Sequence, residues 1–115
     1  VQPRLHLPVI YKFKSKAAGD VIMTGPAGDE LLRALGRTPA PKGIFEPADM
    51  PGLTTAIEQA IAADEAARAD AEAQAAAEGR TLPPRREVSL RQRAWPLVEM
   101  MRRAHPAGEP IVWGV

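Results

Sequence analysis

The run "MPGLTTAIEQAIAADEAARADAEAQAAAEG", from Met50 to Gly79, is the feature that most constrains this 115-residue chain. Alanine and straight-chain residues dominate it. Asp49 offers an N-cap in front, and Gly79 offers a left-handed stop behind Glu78. At about 1.5 Å of rise per residue such a helix is on the order of 40 Å long. Its two halves differ. Leu53, Ile57 and Ile61 make an i, i+4, i+8 stripe that can enter a core, whereas beyond Ile61 only alanine and charge follow until Leu82. The first half is therefore expected to pack, and the second, about 64–84, to project as an arm with little to bury. Pairs such as Asp64 with Arg68 at i, i+4 add small increments to it, and "RTLPPRRE" ends it as a proline-marked loop.

The next stretch, "EVSLRQRAWPLVEMMRRAH", carries a Ser-x-x-Gln capping box at Ser89 and Gln92 that opens a second long helix. Leu90, Ala94, Leu97, Met101 and Ala104 recur at helical spacing. Trp95 and Val98 broaden that face, while Arg91, Glu99, Arg102 and Arg103 lie mostly off it. Pro96 removes the hydrogen bond to the carbonyl of Gln92 and predicts a kink; His105 and Pro106 are expected to close the helix. A Met and Trp cluster at this spacing reads as core, and the kink is the place where a small-ligand groove could form.

Upstream, "VIYKFK" alternates Val9, Tyr11 and Phe13 with Ile10, Lys12 and Lys14, which predicts a strand over 8–14 with one face partly charged. "DVIMT", 20–24, is a second strand or a bridge into a helix. "TGPAGDELLRALG" places Leu31, Leu32 and Leu35 on one helical face ahead of Gly36. Its glycines invite comparison with a phosphate loop, but Pro26 removes a donor, no Gly-Lys-Ser/Thr follows, and Asp29 and Glu30 are expected to occupy the helix start. "RTPAPKGIFEPADMPG" reads as an ordered connector anchored by buried Ile44 and Phe45, and "PIVWGV" as a closing strand paired with 8–14. The expected fold class is α+β: a small two- or three-stranded sheet with three helices, one long and Ala-rich, one kinked at Pro96.

The net charge of +1 hides three blocks. Residues 1–42 carry seven basic and three acidic side chains, for +4; residues 43–79 carry one and eight, for −7; residues 80–115 carry seven and three, for +4. An acidic block between two basic ones suits a chain that neutralises itself or a second copy. There is no cysteine, which excludes disulfides, a thiol nucleophile and cysteine-ligated metal, and fits a reducing cytoplasm. No window resembles a membrane span, and the opening "VQPRLHLPVI" lacks the pattern of an export signal, so a soluble, cytoplasmic protein with no membrane partner is expected.

"YKFKSKAAGDVIM", "KGIFEPADMP", "VSLRQRAWPLVEMMRRA" and "PIVWGV" together resemble a proteobacterial family catalogued as domain of unknown function 1840. The resemblance runs from about Ile10 onward. It implies a small α+β domain in a bacterial, cytoplasmic setting and carries no activity, catalytic residue or cofactor. It also implies that residues 1–8 are an N-terminal extension, which sets His6 aside, and that 9–115 form a single domain.

His105 is then the one histidine left for acid-base work, and without a matched carboxylate it reads as a helix-end cation. Ser15 and Ser89 are accounted for by a loop and a cap. No catalytic, cofactor-binding or metal-binding residue is expected, and no cofactor. The expected function is a non-catalytic interaction module that self-associates as a homodimer, with an unidentified protein partner also open. Its surface is expected around Arg91, Trp95, Pro96, Leu97, Val98, Met101 and Arg102, where the arm of one copy covers the Leu97, Val98, Met101 side or the basic rim of the other. Two alternatives stand beside it. One is a nucleic-acid-associated protein using Lys12, Lys14, Lys16, Arg85, Arg86, Arg91 and Arg93, with weak binding at most. The other is a small-ligand binder at the Trp95/Pro96 kink.

Overall fold

The computed structural model describes residues 7–85 and 88–115, so His6 and Arg86 lie outside the described residues. Strands β1 (Ile10–Ser15) and β2 (Ala18–Thr24) form an antiparallel hairpin; β3 (Gly43–Phe45) and β4 (Ile111–Trp113) complete a four-stranded antiparallel sheet in the order β2-β1-β4-β3. The two- or three-stranded expectation is therefore corrected. "KGIF", expected as connector, is an edge strand, because Gly43 leaves room for the indole of Trp113: a Cβ there would sit 2.2 Å from the ring. The tryptophan is tied down in turn by its Nε1, which donates to the carbonyl of Ala40 at 3.0 Å.

Strand alternation sorts the side chains onto two faces. Tyr11, Phe13, Met23, Phe45, Ile111 and Trp113 are buried on the inner face. Four of them form a continuous aromatic run, with ring centroids 5.9 Å apart for Tyr11–Phe13, 6.1 Å for Phe13–Phe45 and 4.8 Å for Phe45–Trp113. On the outer face Lys14 stands opposite Val112, which stands opposite Ile44, and Lys12 stands opposite Ile22. Ile44 is consequently 40 % exposed rather than a buried anchor, being one residue out of phase with Phe45.

Helix α1 (Gly25–Ala34) starts four residues before the acidic pair thought to open it. Thr24 is its N-cap, accepting from the backbone N–H of Ala27 at 3.4 Å. Asp29 lies in the second turn, 3 % exposed, where it accepts a 2.5 Å hydrogen bond from the Tyr11 hydroxyl. The carboxylate satisfies the buried phenol instead of shielding the helix dipole. Gly28 lets the Tyr11 ring approach, since a Cβ would meet it at 2.1 Å. The helix ends where expected, with Gly36 in the left-handed region at φ +77°.

Helix α2 (Met50–Ala77) follows a short 3-10 turn at Pro47–Asp49. Asp49 belongs to that turn, makes no capping hydrogen bond, and lies 3.9 Å from the Arg37 guanidinium. Met50, Leu53, Ile57 and Ile61 bury the first half against α3 (Leu90–Ala107) and the sheet. Helix α3 opens with the expected capping box: Ser89 Oγ accepts from Gln92 N–H at 3.2 Å, and Gln92 Oε1 accepts from Ser89 N–H at 3.3 Å. It continues unbroken across Pro96. It also passes Pro106, stopping instead at Gly108, whose left-handed φ of +68° ends the helix.

The second half of α2 is largely exposed, yet it is not bare. Ile61, Asp64, Arg68, Ala71 and Ala75 are buried or half-buried at i, i+3, i+7, i+10 and i+14, forming a single helical stripe. The returning segment 79–85 lies along that stripe. Arg80 N–H donates to the Ala75 carbonyl at 2.7 Å, Arg68 donates to the Pro83 carbonyl at 2.8 Å, and Arg85 pairs with Asp64 at 3.2 Å. Arg68 forms its i, i+4 ion pair with Glu72 rather than with Asp64, at 3.2 Å.

Candidate interaction surface

Helix α3 divides the seven residues expected to form the interaction surface. Leu97, Val98 and Met101 are at most 2 % exposed. They are corrected to core: with Ala94 and Ala104 they form the stripe that meets α2 and the sheet, so no second chain's arm can cover them. Arg91, Trp95, Pro96 and Arg102 face outward. Trp95 does not broaden the buried face; it is 45 % exposed, with the Arg102 guanidinium 5.6 Å from its ring centroid. A cation over an indole two turns away holds the ring in a defined pose on the surface.

Two open grooves meet at Pro96. The larger, about 710 Å³, lies between the outer edge of β2 and the start of α3, with Ile22, Thr24, Pro26, Val88, Gln92 and Pro96 among its walls. The smaller, about 450 Å³, is lined by Arg91, Gln92, Trp95 and Pro96. Ile22 and Val88 are 64 % and 55 % exposed, so an apolar band runs from the β2 edge over Pro96 to Trp95. Neither residue was singled out from the sequence. The alternation of "DVIM" carried the signal for Ile22, and the position just before the Ser89 cap carried it for Val88.

The rim of this band is charged but internally paired. Arg91 forms a two-pronged ion pair with Glu65, at 2.9 and 2.8 Å. The hydrogen bond and charge of Arg91 hold the Glu65 carboxyl below its ordinary value, and Glu65 raises the guanidinium in return. Arg93 pairs with Glu30 of α1 at 2.9 Å. Its Nε is buried with no hydrogen-bond partner among the described residues. Lys12 pairs with Asp20 at 3.6 Å. Of the basic residues considered for nucleic acid, Lys12, Arg85, Arg91 and Arg93 are therefore committed to carboxylates of the same chain, and Arg86 lies outside the described residues.

His105 is exposed in the last turn of α3, beside the helix C-terminus. Among the described residues no group of three or more His, Asp or Glu could hold a metal ion, and no helix is long and apolar enough to cross a membrane. No curated protein and no solved structure matches this chain. The family model described as domain of unknown function (DUF1840) matches residues 9–113, almost the whole of the hairpin, helices and closing strand just described, and the chain belongs to that family.

Proposed function

We propose that the protein is a non-catalytic interaction module that self-associates as a homodimer, using the outward flank of α3 together with the neighbouring edge of β2. The observation that carries this reading is the exposed apolar band of Ile22, Val88, Pro96 and Trp95. A half-exposed tryptophan braced by an arginine and bordered by aliphatic side chains and ion-paired polar groups is the composition found at the centres of protein interfaces. The pairing of Arg85, Arg91 and Arg93 with carboxylates of the same chain supports the same reading against nucleic acid, since each carboxylate offsets a charge that would otherwise meet phosphate.

Light scattering across a concentration series tests this. The wild type is expected to move from monomer to dimer as concentration rises, and Trp95→Ala to shift that transition upward about tenfold or more, as for the loss of a hot-spot residue, with unchanged helical circular dichroism. A wild type that stays monomeric at every concentration would contradict it. Duplex DNA is expected to be retained only at low salt; retention at about 0.15 M salt would favour the nucleic-acid reading instead. A small ligand seated by Trp95 and Pro96 would quench Trp95 fluorescence without changing the mass, and that outcome would favour the ligand reading.

A further inference from the structure

Strand alternation leaves the sheet with one face in the core and one face open, and an open antiparallel face is ordinarily polar. This one mixes isoleucine with lysine. Ile10, Lys12 and Lys14 follow one another along the outer side of β1, Ile22 stands beside Lys12, and Val112 and Ile44 stand beside Lys14 across β4 and β3. Ile10 is 59 % exposed and Ile44 40 %, with both lysines exposed between them. The chain's four lysines, Lys12, Lys14, Lys16 and Lys42, all lie on β1, in the turn after it or just ahead of β3. Lys12 pairs with Asp20 at 3.6 Å. Lys14, Lys16 and Lys42 form no ion pair among the described residues, in contrast to Arg85, Arg91 and Arg93, which are all answered by carboxylates of the chain.

We infer that the open face of the sheet binds an acidic amphipathic helix of another protein. Charge complementarity sets the sign of that partner: its carboxylates meet Lys14 and Lys12, where cations outnumber the single neighbouring Asp20. The isoleucines require in addition that it bring an apolar stripe to cover Ile10 and Ile44, as α2 and α3 cover the inner face. Single-stranded nucleic acid fits less well, because Tyr11, Phe13, Phe45 and Trp113 all point inward and leave no ring on the open face for a base to stack on. A lipid surface fits less well too, since the cations stand among the aliphatic residues and the aliphatic tips would have to lead into the bilayer. This face lies apart from the Trp95 flank, and the inference does not depend on the proposed self-association.

Amide chemical shifts of the full chain, titrated with a synthetic amphipathic helical peptide of glutamate, leucine and alanine, test this. Shifts are expected at Ile10, Lys12, Lys14, Ile44 and Val112. Lys14→Glu should weaken binding about tenfold or more, because like charges then oppose, and Ile44→Gln should weaken it as well. Arg33→Glu, the same charge change on α1, should leave it unaltered. All three side chains are exposed, and an unchanged melting temperature confirms that each variant folds. An absence of shifts on this face, or shifts confined to the Trp95 flank, would overturn the inference. So would equal binding of a peptide with glutamine in place of glutamate, or of polyglutamate, since either would show that only one half of the complementarity matters. Tighter binding of phosphatidylglycerol vesicles or oligothymidylate to the same amides would assign the face to lipid or nucleic acid instead. Shifts of these amides on diluting the protein alone would seat a second copy there.

Discussion

The two halves of α2 are one helix held by two kinds of force. Met50, Leu53, Ile57 and Ile61 fix the first half by burial, each at most 8 % exposed. The second half, from Ala62 on, is fixed by its own returning chain: Arg68 to the Pro83 carbonyl, Arg85 to Asp64, Arg91 to Glu65 and the Ala75 contact under the turn at Gly79. The difference bears on function. Three of the eight carboxylates of the acidic block, Asp64, Glu65 and Glu78, pair with arginines of the following basic block of the same molecule. The exposed apolar side chains lie elsewhere, at Trp95 and Pro96 on the flank of α3 and at Ile22 and Val88 beside it.

Burial and surface ion pairing differ in magnitude, and that orders the consequences of disturbing each half. The largest effect is expected from Ile57→Ala, where deleting a fully buried side chain costs about 2–5 kcal/mol through lost transfer energy and the cavity left behind. Urea denaturation should show a lower midpoint with an unchanged slope. Retention of the wild-type midpoint would mean the first half of α2 is not anchored by the core.

Arg85→Ala should cost at most about 1 kcal/mol, because its pair with Asp64 is substantially exposed and screened. Its signature is local. Amide exchange should quicken over 62–78 and leave 50–61 unchanged, since the second half opens below the global unfolding free energy. Equal protection of the two halves in the wild type would erase the distinction between them.

The smallest effect is expected from acid. Arg91 holds the Glu65 carboxyl below its ordinary 4.5, so the contribution of that pair is fully present above 4.5 and is lost as the pH falls from there through the lowered folded value. Exchange in the second half of α2 should therefore accelerate below about pH 4.5, and Glu65→Gln should remove that acceleration. Faster exchange at neutral pH than at pH 4 after correction for intrinsic rates would have the wrong sign.

Much of this fold is written locally. Strand alternation in "YKF", the capping box at Ser89, the left-handed glycines at 36 and 79, and the Leu53, Ile57, Ile61 stripe each depend on a few neighbouring residues, and each is where the residue types place it. The departures are the features decided by distant partners. Gly43 becomes a strand only because Trp113 lies across it. Asp29 leaves the helix start because Tyr11, eighteen positions away, brings a buried hydroxyl that needs an acceptor. Trp95 faces outward because the inner stripe of α3 is already filled by Ala94, Leu97, Val98 and Met101, and an indole has no room there. The interaction surface was legible in part for the same reason. Arg91, Trp95, Pro96 and Arg102 share one helix, whereas Ile22 and Val88 join them only through tertiary packing.

The proposed association of this DUF1840 family member runs through the exposed flank of α3 around Trp95 and not through the second half of α2. Deleting residues 66–84, joining the ends with glycines and measuring mass by light scattering separates the two surfaces most directly. The account predicts that the shortened protein keeps the dimer of the full chain, at a similar midpoint concentration. A shortened protein that is monomeric while the full chain dimerises would contradict it and return the interface to the arm.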